Sequence, residues 1–140
     1  MLFRSRPLSA VGRAAVDFAA GKAAARGAKP DVVWHSGKLR ARQTAEAFWR
    51  ACNALATFAA TRDLQPGDPP HWMRDRLRGE TRDVLIVGHY PHLPALLAEC
   101  LGPSGRDAAA FPLHGVVALE SDDDGMTFRE LWRLPAPAPR

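Results

Sequence analysis

A three-layer α/β sandwich, with helices on both faces of a mostly parallel central sheet, is the fold class that this sequence predicts. Three observations carry the prediction. Helical and strand-like segments alternate along the 140 residues, the pattern of strands joined by helical crossovers. Asp83-Val84-Leu85-Ile86-Val87-Gly88 is a continuous apolar run closed by glycine, the mark of a strand buried on both faces. Two further strand-like stretches flank the acidic turn Ser121-Asp122-Asp123-Asp124-Gly125, a hairpin signal.

The elements follow in order. Ser9 is an N-cap for an Ala-rich helix that runs to Arg26 and stops at Gly27. Gly21 inside it weakens the helix by up to about 1 kcal/mol. Residues 30–35 form a short strand, broken by Ser36-Gly37, and residues 38–52 a second helix. Residues 53–67 are irregular, with an extended piece at 57–60. Asp68-Pro69-Pro70 starts a helix to about residue 78, with the aspartate as cap and proline in the first turn. The strand at 83–88 leads into a helix at 91–101, closed by Gly102-Pro103, and the hairpin strands lie at 113–120 and 126–134. Residues 1–134 are expected to form a single domain, and the Pro/Ala-rich residues 135–140 a disordered tail.

Composition narrows the function. The apolar fraction of 46% is ordinary for a globular chain. No apolar run reaches the roughly 18–20 residues that cross a bilayer. Met1-Leu2-Phe3-Arg4 offers no apolar signal region. A cytoplasmic protein without membrane attachment is therefore expected. Cys52 and Cys100 fall in helical segments and read as free thiols, with a single disulfide as the alternative. The net charge of +4 is uneven: residues 1–50 carry 10 Lys/Arg and 3 Asp/Glu, a balance of +7, and the rest a balance of −3. A basic half attracts phosphates or nucleic acid, or is simply a set of solvated helix faces. No basic run carries interleaved aromatics of the single-strand-binding kind, so nucleic acid is not an expected partner.

Two constellations carry chemistry. In His35-Ser36-Gly37-Lys38-Leu39-Arg40 a strand end delivers a hydroxyl, and an arginine follows in the first turn of a helix. Helix N-termini present free N–H groups and a positive dipole end to anions. An arginine there can fork two hydrogen bonds onto phosphate oxygens. In Val87-Gly88-His89-Tyr90-Pro91 a buried strand runs into a glycine that permits close approach, then into a histidine at the carboxyl edge of the sheet. That histidine can donate to a phosphate oxygen or move a proton. Each motif alone is more often structural, a basic helix face or a packing histidine. His35 and His114, at the start of the last strand pair, could line the same pocket. His92 follows His89 by one helical turn, but no cysteine or carboxylate accompanies them in metal-ligand spacing, so no metal is expected.

Together the motifs resemble the histidine phosphatase superfamily, in particular its small phosphohistidine phosphatase branch, the SixA type. The matching pieces are Arg6-Pro7-Leu8-Ser9 with Gly12, Ser36 through Arg40-Ala41-Arg42-Gln43-Thr44-Ala45-Glu46, Leu64 with Pro66, Val84 through Leu93, and Phe111-Pro112. The resemblance spans essentially the whole chain and implies a phosphoglycerate-mutase-like fold. It also implies a cofactor-free, metal-independent reaction, in which a histidine of an Arg-His-Gly motif attacks phosphorus while two arginines and a second histidine hold the phosphoryl oxygens. Carried over by position, Arg40 is a phosphate-binding arginine and His89 the second histidine, and Arg4 is a candidate for the other arginine.

The sequence departs from the pattern at one place. No Arg-His-Gly occurs in it. Either the first strand and its motif lie upstream of Met1, which leaves the fold without its first strand here, or Arg4-Ser5-Arg6 is a degenerate remnant. A serine without a nearby base is a poor replacement nucleophile. The resemblance thus implies a hydrolase acting on protein phosphohistidine or a small phosphoester, inactive or severely impaired in the chain as given. The alternative is a non-catalytic module that binds phosphate or phosphohistidine in the same pocket.

Overall fold

The computed structural model describes residues 7–102, 111–112 and 115–134. Arg4, His114, Pro103 and residues 135–140 lie outside them. The Ala-rich segment forms α1 (Ala10–Ala25), and the Ser9 side chain accepts the Gly12 N–H at 3.0 Å as its cap. The elements β1 (Val32–His35), α2 (Leu39–Cys52), β2 (Thr57–Ala60), α3 (Pro70–Leu77), β3 (Val84–Val87), α4 (His92–Leu101), β4 (Val116–Glu120) and β5 (Arg129–Leu134) follow. β1 pairs in parallel with β2 on one side and with β3 on the other, with His35 opposite Val87. β4 and β5 form a separate antiparallel pair with an irregularity between Ala118 and Leu119.

Strand alternation divides the core. Val33 and Val87 pack against Ala41 and Ala45 of α2, with Leu85 alongside. Trp34 and Ile86 point the other way, onto Leu64, Met73, Leu77, Leu96 and Cys100. Because successive side chains leave a strand on opposite faces, α2 covers one face and α3 with α4 the other, which gives the three layers. α1 stacks on α2 through Val16, Ala19, Ala20, Ala23 and Phe48, and this cluster also receives Leu134 from β5. Cys52 and Cys100 are free thiols, and burial pushes Cys100 up to about 11. No helix among the described residues is long and apolar enough to cross a membrane.

Two expectations need correction. Asp68 does not cap α3: its Oδ2 reaches back to accept the Gln65 N–H at 3.0 Å, and Pro69 occupies the cap position without a side-chain bond. β3 is not buried on both faces. Val84, Leu85 and Ile86 are half-buried and only Val87 is fully so. The physical reason is that β3 has a strand neighbour on one edge only among the described residues, and its flank lines a cavity of about 1220 Å3 that β4 borders as well.

The hairpin is fastened at its tip. Arg74 of α3, only 3% exposed, donates to the Gly125 and Met126 carbonyls at 2.8 and 2.7 Å and lies over the Phe128 ring. The Gly79 N–H reaches the Asp124 carbonyl at 2.7 Å. Gly125 adopts φ +82°, and a Cβ there would meet the Leu77 carbonyl oxygen at 1.9 Å, so the contact requires glycine.

Candidate phosphate site at the carboxyl edge of the sheet

β1 ends at His35 because Ser36-Gly37 turns the chain, with Gly37 at φ +90°. The turn is tied from several sides. The Gly37 N–H donates to His35 Nδ1 at 3.1 Å, and Gln65 Nε2 donates to the Ser36 carbonyl at 2.8 Å. The Lys38 N–H makes a long contact of 3.4 Å with Ser36 Oγ. α2 then begins with Lys38 as N-cap and no side-chain cap. Its first-turn N–H groups, which a helix cannot satisfy internally, follow directly on the carboxyl end of β1, and such a helix start can accept an anion.

β3 delivers the second half. After Val87, Gly88 lies under Leu93, where an added Cβ would come within 3.4 Å of that side chain. His89 follows, and its carbonyl accepts the Leu93 N–H at 2.8 Å as α4 starts. The two strand ends meet: Ser36 Oγ and His89 Nε2 share a hydrogen bond of 2.6 Å. The Tyr90 hydroxyl donates to the Phe111 carbonyl, and the two rings meet edge-on at 6.1 Å, holding residues 111–112 against this rim.

The site is cationic and keeps its histidine neutral. Burial lowers the His89 pKa below its usual 6.5, and the positive charges of Lys38, His92 and Arg40 push the same way. Arg40 is exposed at the first turn of α2 and makes no ion pair among the described residues, whereas its neighbour Arg42 is engaged with Glu46 at 3.0 Å. Arg40 and His89 both line the 1220 Å3 cavity. A tetrahedral oxyanion here would meet a guanidinium fork, helix N–H groups and an imidazole, with no carboxylate among the described residues bonded to Arg40 or His89.

The structure thus brings together Arg40, Ser36 and His89. His35 is placed differently. It is 4% exposed, its ring packs on Phe58 at 5.0 Å, and Nδ1 is occupied by the Gly37 N–H, so it supports the turn from below. Arg4 and His114 lie outside the described residues. Sequence reasoning missed the structural roles of Gln65 and His92. His92 is 1% exposed, and neither ring nitrogen has a hydrogen-bond partner among the described residues. Burial lowers its pKa, partly opposed by Asp68 and Asp63. Its spacing from His89 was visible, but its burial depends on where α4 packs.

No known family pattern and no curated protein matches the chain. Solved structures do. The architecture is that of the histidine phosphatase superfamily, in its phosphoglycerate-mutase-like α/β form. Within it, the similarity is to the SixA-type branch. A crystal structure assigned to phosphohistidine phosphatase SixA of Agrobacterium tumefaciens superposes with a TM-score of 0.79 at 27% identity, covering 96% of this chain and 87% of that one. The protein histidine phosphatase SixA in complex with tungstate gives 0.78 at 20% identity, covering 96% and 90%. A structure assigned to SixA of Nakamurella multipartitia gives 0.75 at 22%, covering 99% and 90%.

Proposed function

We propose that this chain is the phosphate-holding part of a phosphatase that acts on protein phosphohistidine through a phosphohistidine enzyme intermediate. Arg40 and His89 are its catalytic phosphate ligands. One observation carries the proposal: His89 at the end of β3 is bonded to Ser36 at the end of β1, beside Arg40 on the uncapped first turn of α2. Charge developing on a transferring phosphoryl group is best stabilised by donors fixed in advance, and these donors come from two strand ends and a helix start. SixA similarity at 27% identity supports the substrate class, and the tungstate held by one SixA structure makes tetrahedral oxyanions the natural probe.

The attacking imidazole would be supplied from upstream of Pro7. It would form the N–P bond as the substrate imidazole leaves, and water would then release phosphate. A second reading is supported by a specific observation. Of the described histidines at this edge, His35 is tied to Gly37, His89 to Ser36, and His92 is buried. None of these is disposed to attack. A module that binds phosphate or phosphohistidine without turnover fits that arrangement. A phosphatase assay on a phosphohistidine protein, with the 140-residue chain and with a version extended by its upstream codons, decides between them. Turnover confined to the extended chain supports the enzyme. An extended chain that lacks Arg-His-Gly and stays inactive, while still binding tungstate, leaves the binding module.

A further inference from the structure

The hydrogen bond between Ser36 and His89 has a direction, and the surrounding contacts fix it. Ser36 is buried, and its backbone is pinned where Gln65 Nε2 donates to its carbonyl at 2.8 Å. Its hydroxyl makes two contacts among the described residues, with the Lys38 N–H at 3.4 Å and with His89 Nε2 at 2.6 Å. A serine hydroxyl has one proton to give and two lone pairs to fill. The Lys38 N–H only donates, so it takes one lone pair. If Nε2 carried the imidazole proton, the hydroxyl would accept twice. Its own O–H would then be left without an acceptor in a buried turn, which is costly. If the hydroxyl donates to a bare Nε2, every one of these groups is satisfied. The distance agrees. N–H donors stand about 2.7–3.2 Å from their acceptors and hydroxyl donors about 2.5–3.0 Å. The observed 2.6 Å belongs to the second range.

We propose that Ser36 is a positioning residue that sets the tautomer of His89: its O–H donates to Nε2, and the single proton of the neutral ring sits on Nδ1. Which ring nitrogen holds the proton is decided by the bond that the other one makes. Burial keeps the ring neutral by lowering its pKa below 6.5, and the charges of Lys38, His92 and Arg40 act in the same sense. Nδ1 makes no hydrogen bond among the described residues, so its N–H is the donor left for a ligand. A neutral imidazole with a bare Nδ1 would turn a lone pair toward an oxyanion and repel it. With the proton on Nδ1 the ring donates without being charged. That this donor meets a phosphoryl oxygen beside Arg40 rests on the phosphatase reading above. The tautomer itself does not.

The tautomer is read from the nitrogen NMR spectrum of the histidine rings in the 140-residue chain without ligand, at about one pH unit above the ordinary histidine value. Protonated and bare ring nitrogens give well-separated resonances. His89 should show a protonated Nδ1 and a bare Nε2. His35 should show the reverse, because its Nδ1 already accepts the Gly37 N–H at 3.1 Å, and it serves as the internal reference. Ser36→Ala should move the two His89 resonances toward each other and weaken tungstate binding roughly threefold to tenfold, the net worth of one hydrogen bond. Ser36→Thr, which keeps the hydroxyl, should restore both. A parent chain with His89 protonated at Nε2 overturns the proposal, whether or not the variants fold. So does a folded Ser36→Ala chain in which the His89 resonances stay where they were. An Nδ1-protonated His89 in a parent chain that binds no tungstate upholds the tautomer and removes only the phosphatase reading.

Discussion

Ser36 and His89 are 53 positions apart in the chain, yet Ser36 Oγ lies 2.6 Å from His89 Nε2. The bond joins the ends of two neighbouring parallel strands and aligns the imidazole beside Arg40. Its consequences for binding can be measured directly. Arg40→Ala should weaken tungstate or phosphate binding roughly tenfold to a hundredfold, the worth of a lost charge-assisted hydrogen bond, with an unchanged circular dichroism spectrum. The same substitution removes one of the positive neighbours that lower the His89 pKa. The NMR titration midpoint of His89 should therefore rise in the variant. A midpoint that stays put would show that Arg40 does not face the imidazole.

Folding stability should fall in mild acid. His35, His89 and His92 all have pKa values lowered from 6.5, each chiefly by burial. Above that value both folded and unfolded chains hold them neutral, and their contribution is fully present. As the pH drops below 6.5, the unfolded chain takes up protons first, so stability declines until the lower folded-state values are passed. Urea midpoints measured from pH 7.5 to pH 5 (a range of about two and a half units around the ordinary histidine value) should show the decline. His92→Leu should make it shallower. With both ring nitrogens of His92 unbonded among the described residues, the variant should also be about 1 kcal/mol more stable at neutral pH.

Arg74→Met should be among the costlier single changes in the protein. It keeps the side-chain volume but removes both hydrogen bonds to the Gly125 and Met126 carbonyls. A loss of about 3 kcal/mol is expected, read from the urea midpoint at constant slope. A loss below about 1 kcal/mol would mean that water replaces the guanidinium at the hairpin tip.

Two glycines should respond in opposite directions. Gly125→Ala forces a Cβ against the Leu77 carbonyl at a positive φ and should cost about 2 kcal/mol or more. Gly21→Ala, inside α1 with nothing within 4 Å of the added carbon, should stabilise by about 0.5–1 kcal/mol. Thermal unfolding of the two variants beside the parent checks both signs at once.

Local signals in the sequence were strong where structure is local. The Ser9 cap, the break at Ser36-Gly37 and the acidic turn before Gly125 each act through the backbone of a few neighbouring residues, and each appears where the chain chemistry places it. The positions of Arg40 and His89, the residues proposed to hold phosphate, were legible because strand ends and helix starts are themselves readable. What was hidden depends on contacts between distant segments. Arg74 reads as one more charge on a short helix, and only the folded hairpin reveals it as a fastening. His92 reads as a partner for His89, and only the packing of α4 shows it buried without one. The half-exposure of β3 is not a property of its residues, since a run of Val, Leu, Ile and Val calls for burial. It comes from which strand stands beside it.

The pairing of His35 with Val87 gives the site an error-checking property. If β3 slipped by one residue against β1, Leu85 and Val87 would exchange faces with Ile86, and His89 would move away from Ser36 in the same step. A sheet formed in the wrong register therefore loses its core packing and the Ser36–His89 contact together. Under the phosphate-site proposal, the fraction of a refolded or mutated preparation that titrates with tungstate would count its correctly registered molecules.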